Sequence, residues 1–522
     1  MHFYTLKDIV FVIVSKTDKK IGRLIYEIRK ERGLTQAEFA RLLKTSQSAV
    51  NRIENGKQNL TLETLGNISD VLNKPIITVA DSTTNLRIEG GHKLSGEISC
   101  KTAKNSTVAI LCASLLNKGK TIIKNAPKIE EVNRIIEVLS SIGVSIRWVG
   151  ESNLEIKVPK ELDLSNMNKT SARRTRTVIN LVSALMHDYK SFKIPFAGGC
   201  KLGRRSIIPH IYALEEFGAH IEPRDGRYEV TVNKKLPKRP VVMYEMSDLA
   251  TENALVAAAG FAGETVIKQA SANYMVQDVC LFLKKLGVKV EGIGTPTLRV
   301  TGSPHVKKNI VFAPSEDPVE AMTFISAAVA TNSTLTIKRV PIDFLEFELL
   351  KLEKMGLHFD ISAIYKADNG YTNLVDIKIH EHNGTLKAPE EKLHPLPGGV
   401  GINIDNLPYF IPIVAVAKGQ TFVHDWLYEE RALMFTEMKK LDVNLVLADP
   451  YRVFIDGPTK WRAANIVAPS GIRPAVILLI GMLAAPGVSM LRNVYTINRG
   501  YEDLTSRLKS IGAHIEISRE SI

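Results

Sequence analysis

A cysteine lies among glycines and bases in the stretch AGGCKLGRR, residues 197–205. Gly198 and Gly199 before Cys200, and Gly203 after it, free the backbone. Lys201, Arg204 and Arg205 supply positive charge, which lowers a thiol's pKa and attracts an anion. The stretch is either a mobile lid that carries an acid–base or nucleophilic thiol to an anionic ligand, or a basic surface loop with an idle cysteine. Other stretches carry compatible chemistry. KTAKNS (101–106) sets Lys104 and Asn105 at a helix start, where the helix amino terminus helps to meet an anion, unless it is an ordinary start. TRTVINLVSAL (175–185) opens an apolar helix with Arg176, at the end where the dipole disfavours a cation; this points to an external anion. PSEDPVEAMTF (314–324) opens a helix with Glu316, Asp317 and Glu320, which either complement the dipole or lend a carboxylate to a site. GIRPA (471–475) and NRGYE (498–502) add Arg473 and Arg499 at turns.

These groups are far apart in the chain, so a frame must gather them. The sequence repeats a unit of strand, turn, amphipathic helix, stop and strand. It is clearest in 120–147, 264–292, 333–360 and 488–517, and weaker in 203–222 and 420–447. The stops fall at Gly143, Gly218, Gly287, Gly356, Asp442 and Gly512, about seventy residues apart. Glycine suits a helix stop because it tolerates positive φ, so the cap at Asp442 is expected to be weaker. The helices carry an apolar stripe such as Val132, Ile135, Ile136 and Leu139. Six such units predict repeated α/β blocks, and the chemistry sits at their junctions.

The 522 residues exceed what one core usually holds, which predicts two or more domains. Hydrophobic residues at 45% and charged residues at 24% fit a soluble globular protein. The net charge of +13 favours polyanions or phosphorylated ligands. Cys100, Cys112, Cys200 and Cys280 lack paired spacing, which argues against a disulfide framework or zinc cluster and suits a reducing cytoplasm. DIVFVIV (8–14) is too short to span a bilayer and reads as a short strand or as upstream sequence from a misassigned start. No membrane association is expected. His380-Glu381-His382 reads as a solvated strand end, and neither a metal nor a cofactor is expected.

Residues 21–60 differ in character. Thr35 with Glu38 fits a capping box that opens a helix QAEFARLL, and Ser46 caps a second helix that closes at Gly56. Two short helices joined by a brief turn form a helix-turn-helix. The stretch resembles the phage-repressor-like (Cro/C1) helix-turn-helix family across most of 21–78. That resemblance implies an all-α DNA-binding domain in which Gln36, Gln47, Ser48, Asn51 and Arg52 face DNA. Glutamine and asparagine can read adenine, and arginine reads guanine or phosphate. One such module binds weakly, so a homodimer on two half-sites is expected; the alternative is a helical module used for protein contact.

Residues 86–522 resemble the enolpyruvyl transferase family, and most closely its branch of UDP-N-acetylglucosamine 1-carboxyvinyltransferases. The match runs through Lys104-Asn105, the GGCKLGR loop with Cys200, Arg205, Asp317, Arg473, Arg499 inside NRGYE, and Arg176. The resemblance implies an inside-out α/β barrel of two domains, each with three of the six repeats, and a site between them. It implies transfer of enolpyruvyl from phosphoenolpyruvate to the 3-hydroxyl of UDP-N-acetylglucosamine, with release of phosphate, for peptidoglycan precursor synthesis. Cys200 is then the proton donor and a candidate for a covalent phospholactoyl adduct, and Asp317 the base or the later proton acceptor. Lys104, Arg205 and Arg499 hold phosphate, Arg473 lies near the carboxylate, and Asn105 and Arg176 complete the substrate contacts.

The boundaries that follow are an extension at 1–20, the helix-turn-helix domain at 21–79 and a linker at 80–85. The transferase-like body is 86–522, divided into about 104–315 and about 86–103 plus 316–522. The chain departs from the family at its nucleotide-sugar side: Ile208 replaces an aspartate, and Ala272-Asn273-Tyr274-Met275 replaces an Arg-Glu-Pro-Glu-like turn. Glu130 and Glu353 replace bases, and Gly471 replaces an aspartate before Arg473. These losses, with the DNA-binding module, leave a second reading open: a transcriptional regulator whose transferase-like body senses a cell-wall precursor or phosphoenolpyruvate without turnover.

Overall fold

The computed structural model describes residues 21–23, 25–30, 34–43, 45–56, 58, 60, 64, 68, 71, 83–198, 206–396, 398 and 401–520. Residues 1–20, residues 80–82 of the linker, and the loop 199–205 with Cys200 and Arg205 lie outside the described residues. The chain divides into two compact units, residues 1–83 with 519–522, and residues 84–518.

In the amino-terminal unit, the helices Gln36–Leu42 and Gln47–Glu54 form where the caps predict them. Thr35 and Glu38 make the reciprocal capping box, and the Ser46 hydroxyl accepts from the Ala49 N–H at 3.2 Å. Ile25, Ile28, Phe39, Val50, Ile53 and Ile68 pack together beneath them. Arg29 donates to both oxygens of buried Glu54, a charge pair held inside this small core.

The body holds, among its described residues, six small sheets of three to five strands. Its helices come in two kinds. Lys104–Ala113, Asp248–Ala259, Pro318–Ala330, Phe410–Val416 and Ile472–Ala484 are apolar on nearly every face and lie almost wholly buried, as a helix without a polar face must. Glu130–Ser141 is amphipathic, while Tyr274–Leu286 is exposed only at Lys284 and Lys285; both pack against the central helix Lys104–Ala113. The architecture therefore has helices at the centre and sheets around them. Gly143, Gly218, Gly287, Gly356 and Gly512 all sit at φ between 91° and 100°, and Asp442 adopts φ 66°, so the sixth stop takes the left-handed turn despite its side chain.

Two separate hydrophobic cores organise the body. One draws on residues between Ala103 and Phe312, the other on Leu86–Cys100 together with Val319–Ile515. The strand Thr83–Gly90 pairs antiparallel with Gly487–Arg492, Leu86 opposite Leu491, which ties the start of the body to its end. The chain passes between the two lobes at Lys101–Ala103 and at Ser315–Asp317, side by side. The Ala103 N–H donates to the Ser315 carbonyl and the Asp317 N–H to the Lys101 carbonyl, each at 2.8 Å. Central helices begin immediately after both crossings, at Lys104 and at Pro318.

Candidate active site

The paired crossings fix the first two functional side chains. Lys104 opens one central helix and Asp317 caps the other, accepting the Val319 N–H at 2.8 Å. Lys104, Asp317, Ile129, Glu320, Tyr501 and Glu502 line a narrow cavity at the crossing. Lys104 is buried, and its Nζ donates to Glu131 Oε2 at 2.7 Å. Burial pushes the Glu131 carboxyl up, but Lys104, with help from Arg499 and Arg473, more than offsets this and holds it below its usual range. Asp317 moves the other way: burial, then the neighbouring Glu320, push it up to about 6 against the pull of the Val319 amide, Arg473 and Lys104.

Arg473 lies in the first turn of the helix Ile472–Ala484, where the dipole does not favour a cation. It is compensated by Asp405, whose Oδ2 accepts from Arg473 Nη2. Burial works against the Arg473 charge, yet Asp405 and then Tyr409 keep its pKa above the ordinary arginine value. The hydroxyls of Tyr409, Tyr501 and Thr323 form a buried chain beside it. Asn105 Nδ2 donates to the Tyr274 hydroxyl at 3.1 Å. Lys104, Asn105, Asp317, Arg473 and Arg499 are thus gathered at the lobe junction. Arg176 stands at the carboxyl-terminal base of the 199–205 loop, with Nη2 on the Ser206 carbonyl at 2.6 Å. At the other end of that loop, Gly198 is required by packing rather than for flexibility: a Cβ there would fall 1.5 Å from the Arg173 carbonyl oxygen.

Four further residues belong to this neighbourhood, of which the sequence reading marks only Tyr274, as part of a turn that departs from the family. Glu131 pairs with Lys104, and Asp405 pairs with Arg473 from 68 residues away in the chain. Tyr274 is buried beside Asn105. Arg431 is fully buried and grips Asp425 through Nε and Nη2 at 2.6 and 2.7 Å, while its Nη1 has no hydrogen-bond partner among the described residues. Its guanidinium lies over Tyr428, a group that acts on Arg473.

In the helix-turn-helix, Gln47, Ser48, Asn51 and Arg52 share the exposed face of the second helix, while Ala49, Val50, Ile53 and Glu54 are buried. Gln36 is half-buried and donates to Glu54 at 2.8 Å. His382 corrects the expectation of a solvated strand end, because it is buried and its Nε2 lies 3.1 Å from the Val329 carbonyl. Among the described residues, Glu89, His92 and His514 alone bring three metal-ligand atoms within 4.8 Å; all are exposed and none lines the cavity. No helix among the described residues is long and apolar enough to cross a membrane.

A family model for EPSP synthase (3-phosphoshikimate 1-carboxyvinyltransferase) matches residues 88–508. The chain belongs to the EPSP synthase family. A helix-turn-helix model matches residues 25–78. Within the family, the UDP-N-acetylglucosamine 1-carboxyvinyltransferase of Bradyrhizobium diazoefficiens is 30% identical over 429 residues, covering 82% of this chain and 97% of that protein. The enzyme of the same name from Clostridium botulinum is 31% identical over 439 residues, 83% of this chain and 99% of that protein. Among solved structures, the enolpyruvyl transferase NikO from Streptomyces tendae superposes with a TM-score of 0.72 at 21% identity, covering 84% of this chain and all of that one. The family's α/β fold follows the helix-turn-helix region in this chain.

Proposed function

We propose that the body transfers enolpyruvyl from phosphoenolpyruvate to the 3-hydroxyl of UDP-N-acetylglucosamine, in the cytoplasm, as a step of peptidoglycan precursor synthesis. The observation that carries this reading is the meeting of Lys104, Arg473 and Arg499 with a carboxyl poised near neutrality, Asp317, at one lobe junction. The names and near-complete length of its relatives support the same activity.

The chemistry assigns each group a task. Arg473 and Arg431, whose Nη1 has no partner among the described residues, suit the donor's carboxylate, while Lys104, Arg499 and Arg205 suit its phosphate. Asn105 and Arg176 contribute polar contacts to the substrates. In the addition, the acceptor oxygen forms a bond to C2 of phosphoenolpyruvate and the C2–C3 π pair takes the proton of the Cys200 thiol at C3. Asp317 takes the proton of the attacking hydroxyl. In the elimination, the Cys200 thiolate left by the addition takes a proton from C3 of the tetrahedral adduct, the double bond re-forms, and the C2–O bond to phosphate breaks. The cationic cluster stabilises the departing phosphate. Mass-spectrometric detection of the enolpyruvyl ether of UDP-N-acetylglucosamine, after incubation with both substrates, tests the reading; recovery of unchanged sugar nucleotide rejects it.

The exposed Gln47, Ser48, Asn51 and Arg52 support DNA binding by the amino-terminal unit, as a homodimer on two half-sites, with Gln36 already engaged by Glu54. The fused module also favours a second reading, in which the body senses phosphoenolpyruvate or a cell-wall precursor without turnover. Product formation separates the two.

A further inference from the structure

The nucleophile of the proposed reaction needs particular surroundings. A carboxylate must take the hydroxyl's proton, and neutral hydrogen-bonding groups must orient its oxygen. Cations serve the donor's phosphate and carboxylate instead. Tyr274 stands where these requirements meet. It is 1% exposed, and its hydroxyl oxygen accepts from Asn105, which leaves the phenolic proton to be donated. Burial, then Asp317 and Asp405, raise its pKa well above the ordinary phenol value, so that proton is retained at neutral pH. Its ring packs against Phe344 of the other lobe, centroids 5.9 Å apart.

The turn carrying Tyr274 is held on both sides. Within its own lobe, Asp248 accepts from the Ser271 hydroxyl at 2.5 Å and from Asn273 Nδ2 at 3.2 Å. Across the junction, the Ala272 N–H donates to the Gly398 carbonyl at 2.7 Å. Asn273 Oδ1 accepts from Asn403 Nδ2 at 3.1 Å, and Asn403 Oδ1 accepts the Asp405 N–H at 2.9 Å. One hydrogen-bonded path therefore runs from Asp248 through Asn273 and Asn403 to Asp405 and Arg473. The phenol is fixed relative to both carboxylates and to the donor-side arginine, as a group that discriminates between ligands must be.

We propose that Tyr274 selects the acceptor: with Asn105 it binds the attacking hydroxyl beside Asp317 and Asp405, and its ring limits the size of the adjoining sugar substituent. This rests on the enolpyruvyl-transfer reading above. Two substitutions separate the hydroxyl from the ring. Tyr274→Phe keeps the ring. Tyr274→Pro removes both: residue 274 is the first of its helix and Asn273 at φ −63°, ψ 156° already has the extended conformation that precedes proline, so the change costs the hydrogen bond from the Tyr274 N–H to Asn273 Oδ1 at 2.9 Å but no change of backbone conformation.

Steady-state kinetics of wild type and both variants, with UDP-N-acetylglucosamine, N-acetylglucosamine 1-phosphate and shikimate 3-phosphate as acceptors, test the assignment. Tyr274→Phe is expected to lower kcat/KM for UDP-N-acetylglucosamine about tenfold, the effect of one lost hydrogen bond, with KM for phosphoenolpyruvate within about twofold of wild type. Tyr274→Pro is expected to shift the ratio of kcat/KM between acceptors by about tenfold or more. Unchanged acceptor kinetics in both folded variants overturn the assignment, as does a KM for phosphoenolpyruvate that moves in parallel. If the wild type turns over none of the acceptors, the transfer reading fails on its own, and calorimetric titration of UDP-N-acetylglucosamine decides for Tyr274. About tenfold weaker binding in the variants supports it; equal binding, or none to wild type, overturns it.

Discussion

Asp405 and Arg473 are 68 residues apart in the chain and joined by a hydrogen-bonded ion pair at the lobe junction, with side chains 12% and 15% exposed. The pair lets an arginine occupy the first turn of a helix, where the dipole opposes it. Removing the carboxylate leaves a nearly buried charge without its partner, which is more damaging than never having placed the pair there. Asp405→Asn is expected to lower kcat/KM for phosphoenolpyruvate by at least about tenfold and to lower Tm. Steady-state kinetics and thermal unfolding check both.

Asp317 gives the reaction its pH dependence. Its carboxyl titrates at about 6, so the base form fills as pH rises through that value, and kcat/KM is expected to rise with it and level off above. Asp317→Asn keeps the cap on Val319, because asparagine caps as well as aspartate, but has no base. Activity is expected to fall by about two to four orders of magnitude while Tm stays close to wild type. A pH–rate profile and a melting curve on the same preparations read the two effects separately.

Asp278 predicts a pH dependence of stability. It is buried beneath the crossing, where its Oδ2 accepts the Ser315 N–H at 3.0 Å and the Ser315 hydroxyl at 2.7 Å. Burial pushes it from 3.8 up to about 6. Between those values the folded protein keeps a proton that the unfolded chain has released. The group therefore favours the folded state at the acid end, and that contribution is lost as pH rises through the window, by about 3 kcal/mol in all. Urea unfolding of wild type and Asp278→Asn at pH 4 and 7 is expected to show the smaller pH difference in the variant.

The amino-terminal unit is expected to bind DNA with an affinity that falls steeply with salt, as neutralisation of phosphates requires. Alanine at Asn51 or Arg52 is expected to weaken binding by about 1–3 kcal/mol. Titrations at two salt concentrations check this; salt-independent binding limits the module to protein contact.

Much of the frame is legible in the sequence because it is written in local signals. Thr35 and Glu38 announce a cap, and the stops at Gly143, Gly218, Gly287, Gly356 and Gly512 mark positions that need positive φ. Lys104 and Asp317 are legible for a related reason, since each begins a central helix just beyond a lobe crossing. Asp405, Arg431 and the part played by Tyr274 are not, because their partners are tertiary. Asp405 meets Arg473 through the fold, and GINIDN (401–406) carries no pattern that announces a pairing. Gly198 reads as flexibility in the sequence, but its missing side chain makes room for the Arg173 carbonyl. Gln36 reads as exposed by its place in the motif, yet the buried Glu54 engages it.

The account depends on chemistry at the lobe junction rather than ligand binding alone. Phosphate release from phosphoenolpyruvate, measured with and without UDP-N-acetylglucosamine on the full chain and on Cys200→Ala, tests it most directly. The account predicts release only when both substrates are present and only with the thiol in place. Background release from wild type under conditions where calorimetry shows both ligands bound contradicts it.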